Sequence, residues 1–319
     1  MSESTQPLSV RLTQIRYEGE DIASYEFQAV EGSRLPAFGA GAHIDLFLPD
    51  NRVRSYSLVN DPQEQHRYVV AVQREANGRG GSLWMHRQPR VGDIFKISRP
   101  ANDFPLNETA KESIFICGGI GITPALAMTH RLNTLGAKWL MHYAVRSRER
   151  APYREDLAQM SGPDSRVTMY FKNEDQFLDV REIIESAPEG AHFYCCGPKG
   201  MIDAFIEAGK SRPQAQIHFE RFAAASEASV NGGYQLVLQR SGRRVSVPKG
   251  KSMLDALLDS NVNVPYSCSS GVCGTCRIRV IDGQPDHRDD FLTVEEKAAN
   301  HDIMVCCSGS LSQTMVLDL

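Results

Sequence analysis

The stretch Ser113-Ile-Phe-Ile-Cys-Gly-Gly-Ile-Gly-Ile-Thr-Pro124 decides the fold of the middle of this chain. Four of its first five residues are apolar, which predicts a short buried strand, and the glycines that follow predict a tight turn. Pro124 suits the first turn of a helix, and an amphipathic segment continues from it. A strand, a glycine turn and a helix in this order predict an α/β layer structure whose backbone can approach a pyrophosphate.

Downstream of this stretch, strands and helices alternate as far as residue 222, which predicts parallel strands with short connections. We assign residues 108–225 to this nucleotide domain. A second strand-to-helix turn, Tyr194-Cys-Cys-Gly-Pro198, should lie at the same edge of the sheet, where ligands bind. Pro124 stands where the dinucleotide fingerprint GxGxxG has its last glycine, so an ordinary Gly-rich turn is the alternative.

Upstream, residues 1–107 contain short β-branched or alternating runs separated by Gly, Pro, Asp and Asn, which predicts an antiparallel barrel or sandwich. Arg54-Ser-Tyr-Ser57 offers a guanidinium for a phosphate, an aromatic face and a hydroxyl for a ring nitrogen. Gly80-Gly81-Ser82 precedes a predicted helix and could hold a phosphate as well. Taken alone, Arg54–Ser57 is better explained as an exposed strand.

Residues 223–233 have linker composition, and residues 232–319 form a third predicted domain with strands, a helix and a cysteine loop. Cys268, Cys273 and Cys276, followed at a distance by Cys306, have the spacing of a plant-type 2Fe-2S cluster. The residues between them are small, so the backbone can wrap the cluster. A four-cysteine zinc site is the alternative, but such sites usually pair two CxxC knuckles. Cys307 is a possible ligand in place of Cys306.

Composition excludes several classes of protein. The chain has 319 residues, 41% of them hydrophobic, and a net charge of −4, which argues against disorder, coiled coils and a nucleic-acid-binding surface. It contains no apolar run long enough for a membrane span and no signal or transit pattern, so we expect a cytoplasmic protein. Five of the eight cysteines lie in the last 52 residues, which favours a metal centre over disulfides.

Taken in order, these three groups of motifs resemble ferredoxin-NADP reductase-type flavoproteins that carry a C-terminal ferredoxin domain. The resemblance is closest to the family of phthalate dioxygenase reductase and vanillate O-demethylase reductase, and it extends to the closing Met-Val-Leu-Asp-Leu. It implies a multidomain protein with an antiparallel β-barrel flavin domain, an α/β parallel-sheet nucleotide domain and an α+β ferredoxin domain of the β-grasp type.

The resemblance also implies FMN, NADH and a 2Fe-2S cluster as the redox groups. Ser57, Thr123 and Cys196 are expected to position the reacting rings, and Phe222 is expected to cover the flavin. The implied flavin residues are Arg54, Tyr56, Ser57, Val72, Gln73, Arg74, Gly80, Gly81 and Ser82. The implied nicotinamide-nucleotide residues are Gly119, Gly121, Thr123, Cys196, Gly197 and Pro198, with Glu220 and Phe222 at a strand end between the two rings. The implied cluster ligands are Cys268, Cys273, Cys276 and Cys306.

One departure from the family bears on the nucleotide. The relatives mostly prefer NADH, helped by an acidic residue after the third strand of the nucleotide domain. Here the corresponding segment reads Phe171-Lys-Asn-Glu-Asp175, so a basic residue comes first, and Arg146, Ser147 and Arg148 could meet a 2′-phosphate. We expect NADH, with NADPH as the alternative.

The expected function follows from the order of the redox groups. Nicotinamide gives up two electrons together, a 2Fe-2S cluster accepts one, and a flavin converts between them. We expect the reductase component of a two-component Rieske-type oxygenase, a monomer that meets its partner transiently. A haem-thiolate monooxygenase as acceptor and a redox-sensing module are the alternatives. An acidic excess at residues 281–302 could steer docking to a basic partner surface.

Overall fold

The computed structural model describes residues 6–30, 34–49, 52–76, 80–161, 166–222, 228–266, 271–272 and 274–319, so the predicted ligands Cys268 and Cys273 lie outside the described residues. The chain divides into two compact units, Met1–Arg221 and Phe222–Leu319. The predicted boundary between residues 107 and 108 falls inside the first unit and stays a prediction. None of the helices in the described ranges is long and apolar enough to cross a membrane.

The first part of unit one is an antiparallel barrel, as predicted. In the ranges described before residue 100, six strands form one sheet in the order β4-β3-β6-β1-β2-β5. The sheet closes because Leu58, just after β4, makes an antiparallel bridge to Val70 in β5. The elements are β1 (Leu8–Gly19), β2 (Ile22–Ala29), β3 (His43–Phe47), β4 (Val53–Ser57), β5 (Tyr68–Gln73), α1 (Gly81–Arg87) and β6 (Ile94–Ile97).

Alternating side chains explain why these segments form a barrel. Val10 and Leu12 of β1 and Phe27 of β2 are fully buried, and their sequence neighbours face outward. Helix α1 is fixed to this core by Tyr25, whose hydroxyl donates to the Met85 carbonyl at 2.8 Å. The barrel therefore holds the glycines that precede α1 in a defined place next to β4.

The second part of unit one is a parallel sheet with helices on both faces. Among the described residues 112–220, five strands pair in the order β11-β10-β7-β8-β9. Phe115 of β7 packs on the face that carries α2, and Ile114 and Ile116 pack on the face that carries α4 and α5. The elements are β7 (Glu112–Gly118), α2 (Ile122–Leu135), β8 (Trp139–Val145), α3 (Arg154–Ser161), β9 (Val167–Phe171), α4 (Val180–Ser186), β10 (Ala191–Cys196), α5 (Lys199–Gly209) and β11 (Ile217–Glu220).

Unit two is a small mixed sheet with helices. In its described residues the order is β13-β12-β18-β14-β16, with β12 and β18 parallel, and β15 pairs with β17. The helix α7 was missed by the sequence analysis, although its capping box of Thr293 and Glu296 is visible in the sequence. The elements are β12 (Tyr234–Leu238), β13 (Arg244–Val247), α6 (Met253–Asp259), β14 (Arg277–Asp282), β15 (Pro285–Asp286), α7 (Val294–Ala299), β16 (Asp302–Met304), β17 (Gly309–Ser310) and β18 (Thr314–Leu317).

Candidate functional site

The two glycine turns of the parallel sheet interlock. Strands β7 and β10 are parallel neighbours, so their carboxyl ends bring the turns together at one edge. A Cβ atom at Gly121 would lie 2.3 Å from the Cys196 carbonyl oxygen, and one at Gly118 would lie 2.5 Å from the Pro198 ring. A Cβ atom at Gly197 would lie 3.0 Å from the Gly118 amide nitrogen. Glycine is required at these positions because the two backbones are in direct contact.

Gly119 differs from the glycines around it because it faces open space. Its φ is +55°, and no atom lies within 4 Å of where its Cβ would be. The Tyr143 hydroxyl donates to its carbonyl at 3.0 Å, and the Thr123 hydroxyl donates to the Ile120 carbonyl at the same distance. These bonds fix the backbone at Gly119, which faces open space just before α2. A pyrophosphate could approach the chain there.

Cys196 and Glu220 are register partners at the ends of β10 and β11. Burial raises the pKa of the Cys196 thiol, and the neighbouring Glu220 and Cys117 raise it further, so this thiol is neutral. Burial also raises the pKa of Cys195, to about 12. The site therefore offers neutral thiols rather than a thiolate nucleophile.

Glu220 is the most perturbed carboxyl group at this edge. Its Oε2 atom is buried and has no hydrogen-bond partner among the described residues. Burial, and secondarily the charge of Asp103, raises the pKa of Glu220 to about 8. A neutral carboxyl group with an unused oxygen beside the nucleotide turns can hold or donate a proton at neutral pH.

We predict that Glu220 titrates near pH 8. Between about pH 5 and pH 8, Glu220 then keeps its proton in the folded protein, whereas in the unfolded chain, with the ordinary pKa of 4.5, it has lost this proton. The free energy of unfolding therefore falls as the pH rises through this range. Glu220→Gln should flatten this slope and remove a neutral-carboxyl infrared band that disappears at about pH 8 in the wild type. A carboxyl band that instead disappears near pH 4.5 and is lost in Glu220→Gln would show that the pKa of Glu220 is not raised.

The predicted flavin segment lies on β4, where Ser57 is buried. Burial raises the pKa of Tyr56 to about 12, so this phenol stays protonated. A Cβ atom at Gly81 would lie 2.5 Å from Arg54 Nε, and one at Gly80 would lie 3.1 Å from a terminal nitrogen of Arg52. Two guanidinium groups thus lie against the paired glycines, which fits a phosphate-bearing cofactor such as FMN.

The remaining predicted flavin residues have partners within the barrel. On β5, Val72 is buried and Gln73 is half-buried. Arg74, which follows the strand, is exposed and pairs with Asp21. The Ser82 hydroxyl accepts from the Glu75 amide at 3.0 Å. Arg74 and Ser82 therefore hold the barrel loops together in this structure.

Two of the four predicted cluster ligands are described, and both are buried: Cys276 is 2% exposed and Cys306 is 1% exposed. Gly271, at φ +79°, would place a Cβ atom 2.5 Å from the Cys307 sulfur. Gly274, at φ +77°, would place one 2.3 Å from the Phe291 ring. The cysteine loop thus needs glycine for both its backbone angles and its close packing, which fits a loop that wraps a 2Fe-2S cluster.

Cys307, the alternative to Cys306, has a buried sulfur with polar neighbours. The Cys307 sulfur lies 3.8 Å from the Met304 carbonyl and 3.8 Å from the Ser308 hydroxyl, and it packs beneath Gly271. Its contacts are those of a buried core residue, and Cys306 as the fourth ligand stays a prediction.

Asp289 and Phe291 were missed by the sequence analysis because they lie in a segment rich in charged residues, a pattern that is typical of an exposed surface. The Asp289 side chain is fully buried. It accepts hydrogen bonds from the Leu292 amide at 2.8 Å and from the Phe291 amide at 3.2 Å. These bonds shape the turn that places the Phe291 ring against Gly274. No local sequence signal distinguishes this buried aspartate from its exposed neighbour Asp290.

Several acidic residues of the run at residues 281–302 form ion pairs within unit two. Arg277 pairs with Glu296 at 3.2 Å and with Asp302 at 2.7 Å. Arg288 pairs with Asp286 at 2.9 Å. Asp282 and Glu295 are exposed, so the surface charge available to attract a basic partner is smaller than the sequence implies.

Phe222, which was expected to cover the flavin, follows the last strand of the parallel sheet. Its side chain is 44% exposed. The covering role stays a prediction.

Known proteins match this chain over almost its whole length. The 2Fe-2S iron-sulfur cluster binding domain family matches residues 236–309, and the oxidoreductase NAD-binding domain family matches residues 115–206. Phenoxybenzoate dioxygenase subunit beta of Ectopseudomonas oleovorans is 46% identical over 314 residues, which cover 98% of both chains.

Two solved structures are similar in fold and in sequence. Phthalate dioxygenase reductase, described as a modular structure for electron transfer from pyridine nucleotides to [2Fe-2S], has a TM-score of 0.86 and 36% identity, with 98% of both chains covered. A type IV self-sufficient cytochrome P450 monooxygenase has a TM-score of 0.74 and 33% identity, but 98% of this chain covers only 41% of that one.

Proposed function

Since this chain belongs to the phthalate dioxygenase reductase family, we propose that it is the reductase component of a two-component Rieske-type oxygenase. It takes electrons from NADH and delivers them through FMN and a 2Fe-2S cluster to the oxygenase, which hydroxylates or demethylates a small organic acid. The observation that carries this proposal is the pair of interlocked nucleotide turns in a chain that also buries Cys276, at the end of a glycine-dependent loop, and Cys306.

The protein's own contribution is orientation and electrostatics. FMN, when bound, accepts two electrons together and releases them singly. Arg54 would hold the phosphate of this cofactor, and the buried Ser57 would position its ring. Gly119 would admit the nucleotide's pyrophosphate. Cys196 and Glu220 would contact the nicotinamide as neutral groups, because burial raises both of their pKa values.

The four cysteines Cys268, Cys273, Cys276 and Cys306 would hold the cluster. Thiolates need protection from solvent and oxidation, and the burial of Cys276 and Cys306 provides it. The Phe291 ring, 43% exposed and against Gly274, lies between this loop and solvent. Unit two would therefore be the part of the chain from which electrons leave.

The proposal includes a transient complex with the oxygenase, a monomeric reductase and a cytoplasmic location. Relatives named as subunits of oxygenase systems support the partner. A chain that must exchange electrons repeatedly with another protein benefits from a weak, charge-guided interface.

We predict that rising salt slows electron delivery to the oxygenase only modestly. Asp282, Asp290 and Glu295 are exposed, whereas Asp286, Glu296 and Asp302 are paired and Asp289 is buried. Since exposed charges are screened within about 10 Å at 0.1 M salt, the rate should fall as salt rises, and Glu295→Gln should weaken this dependence. A rate that does not change from low to high salt would contradict charge steering.

The proposed function is tested with purified holoprotein. Released flavin should comigrate with FMN rather than FAD, and iron and sulfide should each be present at two per chain. NADH-dependent product formation should then require a Rieske-type oxygenase component. The similarity to a cytochrome P450 monooxygenase makes a haem-thiolate protein the second candidate acceptor. Reduction of such a protein without reduction of a Rieske partner would replace our proposal with that one.

A further inference from the structure

The turn between β1 and β2 joins the barrel of unit one to its parallel sheet. Arg150, in the loop that follows β8, donates from Nε to Glu20 Oε2 at 3.0 Å and from a terminal nitrogen to Glu20 Oε1 at 2.9 Å. The same terminal nitrogen lies 3.4 Å from Asp21 Oδ2. The Glu20 amide donates to the Glu149 carbonyl at 2.7 Å. These directional hydrogen bonds between Glu20 and Asp21 on one side and Glu149 and Arg150 on the other form a junction that we call the hairpin latch.

The hairpin latch is also closely fitted. A Cβ atom at Gly19 would lie 2.8 Å from the Glu149 carbonyl oxygen, so the turn and the loop are in backbone contact. Asp21 has a φ of +64° and Tyr153, in the same loop as Arg150, has a φ of +59°, a region that residues other than glycine rarely adopt. Strained residues thus lie on both sides of the junction, a feature that is concentrated at functional sites.

Apolar packing alone does not fix the angle between the barrel and the sheet. Val59 and Ala71 of the barrel are buried in one apolar cluster with Ile122 of α2. The same interface contains a cavity of about 440 Å³, lined by Arg16 from the barrel and by Leu126 from the sheet side, among others. Apolar contact is non-directional, and side chains that line a cavity lack packing partners there. Directional contacts such as the hairpin latch are therefore needed to fix this angle.

The hairpin latch is connected to both proposed binding regions. On the barrel side, Arg74, at the end of the predicted flavin strand, donates from Nε to Asp21 Oδ1 at 2.8 Å. The pKa of Asp21 is lowered by this hydrogen bond and further by the charge of Arg150, so Asp21 is ionised at neutral pH. On the sheet side, Arg150 follows β8, from which the Tyr143 hydroxyl donates to the Gly119 carbonyl. A continuous set of contacts thus runs from the flavin strand to the nucleotide turn.

We propose that Arg150 is a positioning residue, which acts through Glu20 and Asp21 to set the angle between the barrel and the sheet, and thereby the distance for hydride transfer from nicotinamide to flavin. This inference rests on the proposed function. Reacting atoms must approach to about 3–3.5 Å, and a displacement of about 1 Å can slow a reaction by about a hundredfold. Loosening the hairpin latch should therefore slow hydride transfer without weakening the binding of NADH.

The test uses Arg150→Met, which keeps the aliphatic stem of the side chain and removes the guanidinium. In stopped-flow experiments on the holoprotein, the limiting rate of flavin reduction at saturating NADH should fall by about tenfold, with the Kd for NADH within about twofold of wild type. Deuterium at both C4 positions of NADH should slow the variant further, because hydride transfer is the affected step. Arg150→Lys keeps the charge and should retain more of the rate than Arg150→Met.

A second measurement does not depend on turnover. Hydrogen exchange of the Glu20 amide should be faster in Arg150→Met holoprotein, because the bond from this amide to the Glu149 carbonyl opens more often when Arg150 no longer holds the turn. Exposed ion pairs contribute little to stability, so the variants should fold and bind flavin as the wild type does.

A matched control is Arg131→Met on α2. Arg131 donates two hydrogen bonds to Glu108, at 2.8 and 2.7 Å, and its side chain is 29% exposed against 30% for Arg150. This pair does not involve the β1–β2 turn, so the control should keep the wild-type rate.

Four results would overturn this inference alone: a limiting rate in Arg150→Met within about twofold of wild type, equal slowing in the control, unchanged exchange at Glu20, or a loss confined to NADH affinity. Failure of NADH to reduce the wild-type flavin would instead overturn the proposed function.

Discussion

Replacing Cys306 with serine is expected to abolish the 2Fe-2S spectrum, whereas replacing Cys307 should preserve it. The two residues are adjacent and both are 1% exposed, so burial does not distinguish them. We assign the ligand to Cys306 because the family resemblance implies it, and the Cys307 sulfur packs under Gly271 and near Ser308. Loss of one of four thiolates leaves a buried iron without a ligand, and cluster assembly fails. Visible absorption and electron paramagnetic resonance of the reduced protein measure the outcome.

The same pair of variants separates the two halves of the electron path. Cys306→Ser should retain NADH-dependent reduction of a two-electron dye, since the proposed flavin and nucleotide residues other than Phe222 lie in unit one. Reduction of the oxygenase should fall to background. Cys307→Ser should retain both activities. A cluster that survives in Cys306→Ser and is lost in Cys307→Ser would show that Cys307, and not Cys306, is the fourth ligand.

Replacing Gly121 with alanine is expected to slow the reduction of the flavin by NADH strongly. The added methyl group would lie 2.3 Å from the Cys196 carbonyl oxygen, a backbone atom that can move only if the second turn moves. Overpacking of this kind costs about 1–3 kcal/mol of stability. Here the added methyl group should push apart the two turns that would bind the nucleotide. Stopped-flow measurement of flavin reduction should show a large loss in kcat/KM for NADH, with flavin content and cluster spectrum unchanged.

Gly200 provides the matched control, because it lies in α5 just beyond the second turn and has open space where a Cβ would be. Gly200→Ala should reduce the flavin at the wild-type rate and gain up to about 1 kcal/mol of helix stability. If Gly121→Ala also reduces the flavin at the wild-type rate, the interlocked turns are not part of the nucleotide site.

Short-range patterns predicted most of the fold. The apolar run before Gly118 and the alternation of strands and helices to residue 222 gave the parallel sheet, and short alternating strands gave the barrel. The glycines of the nucleotide turns were expected to admit a ligand. In the structure only Gly119 faces open space, while Gly118, Gly121 and Gly197 are needed where backbones pack together. A motif alone does not separate these two roles.

Long-range contacts explain what the sequence analysis missed. The charge of Glu220 depends on burial beside β10, and the pairing of Arg150 with Glu20 depends on two segments that are 130 residues apart. Asp289 lies against Gly271 and the Phe291 ring lies against Gly274, and both glycines come from the cysteine loop. Residues of this kind become visible only when the topology brings distant segments together. The helix α7 is different, because its capping box was present in the sequence and was overlooked.

We expect electrons to pass from NADH to the flavin and only then to the cluster. Anaerobic mixing of the holoprotein with NADH, followed at flavin and cluster wavelengths, tests it most directly when wild type, Cys306→Ser and flavin-stripped protein are compared. We predict flavin bleaching before cluster reduction in the wild type, flavin bleaching alone in Cys306→Ser, and no cluster reduction in the stripped protein. Rapid reduction of the cluster by NADH in the absence of flavin would contradict it.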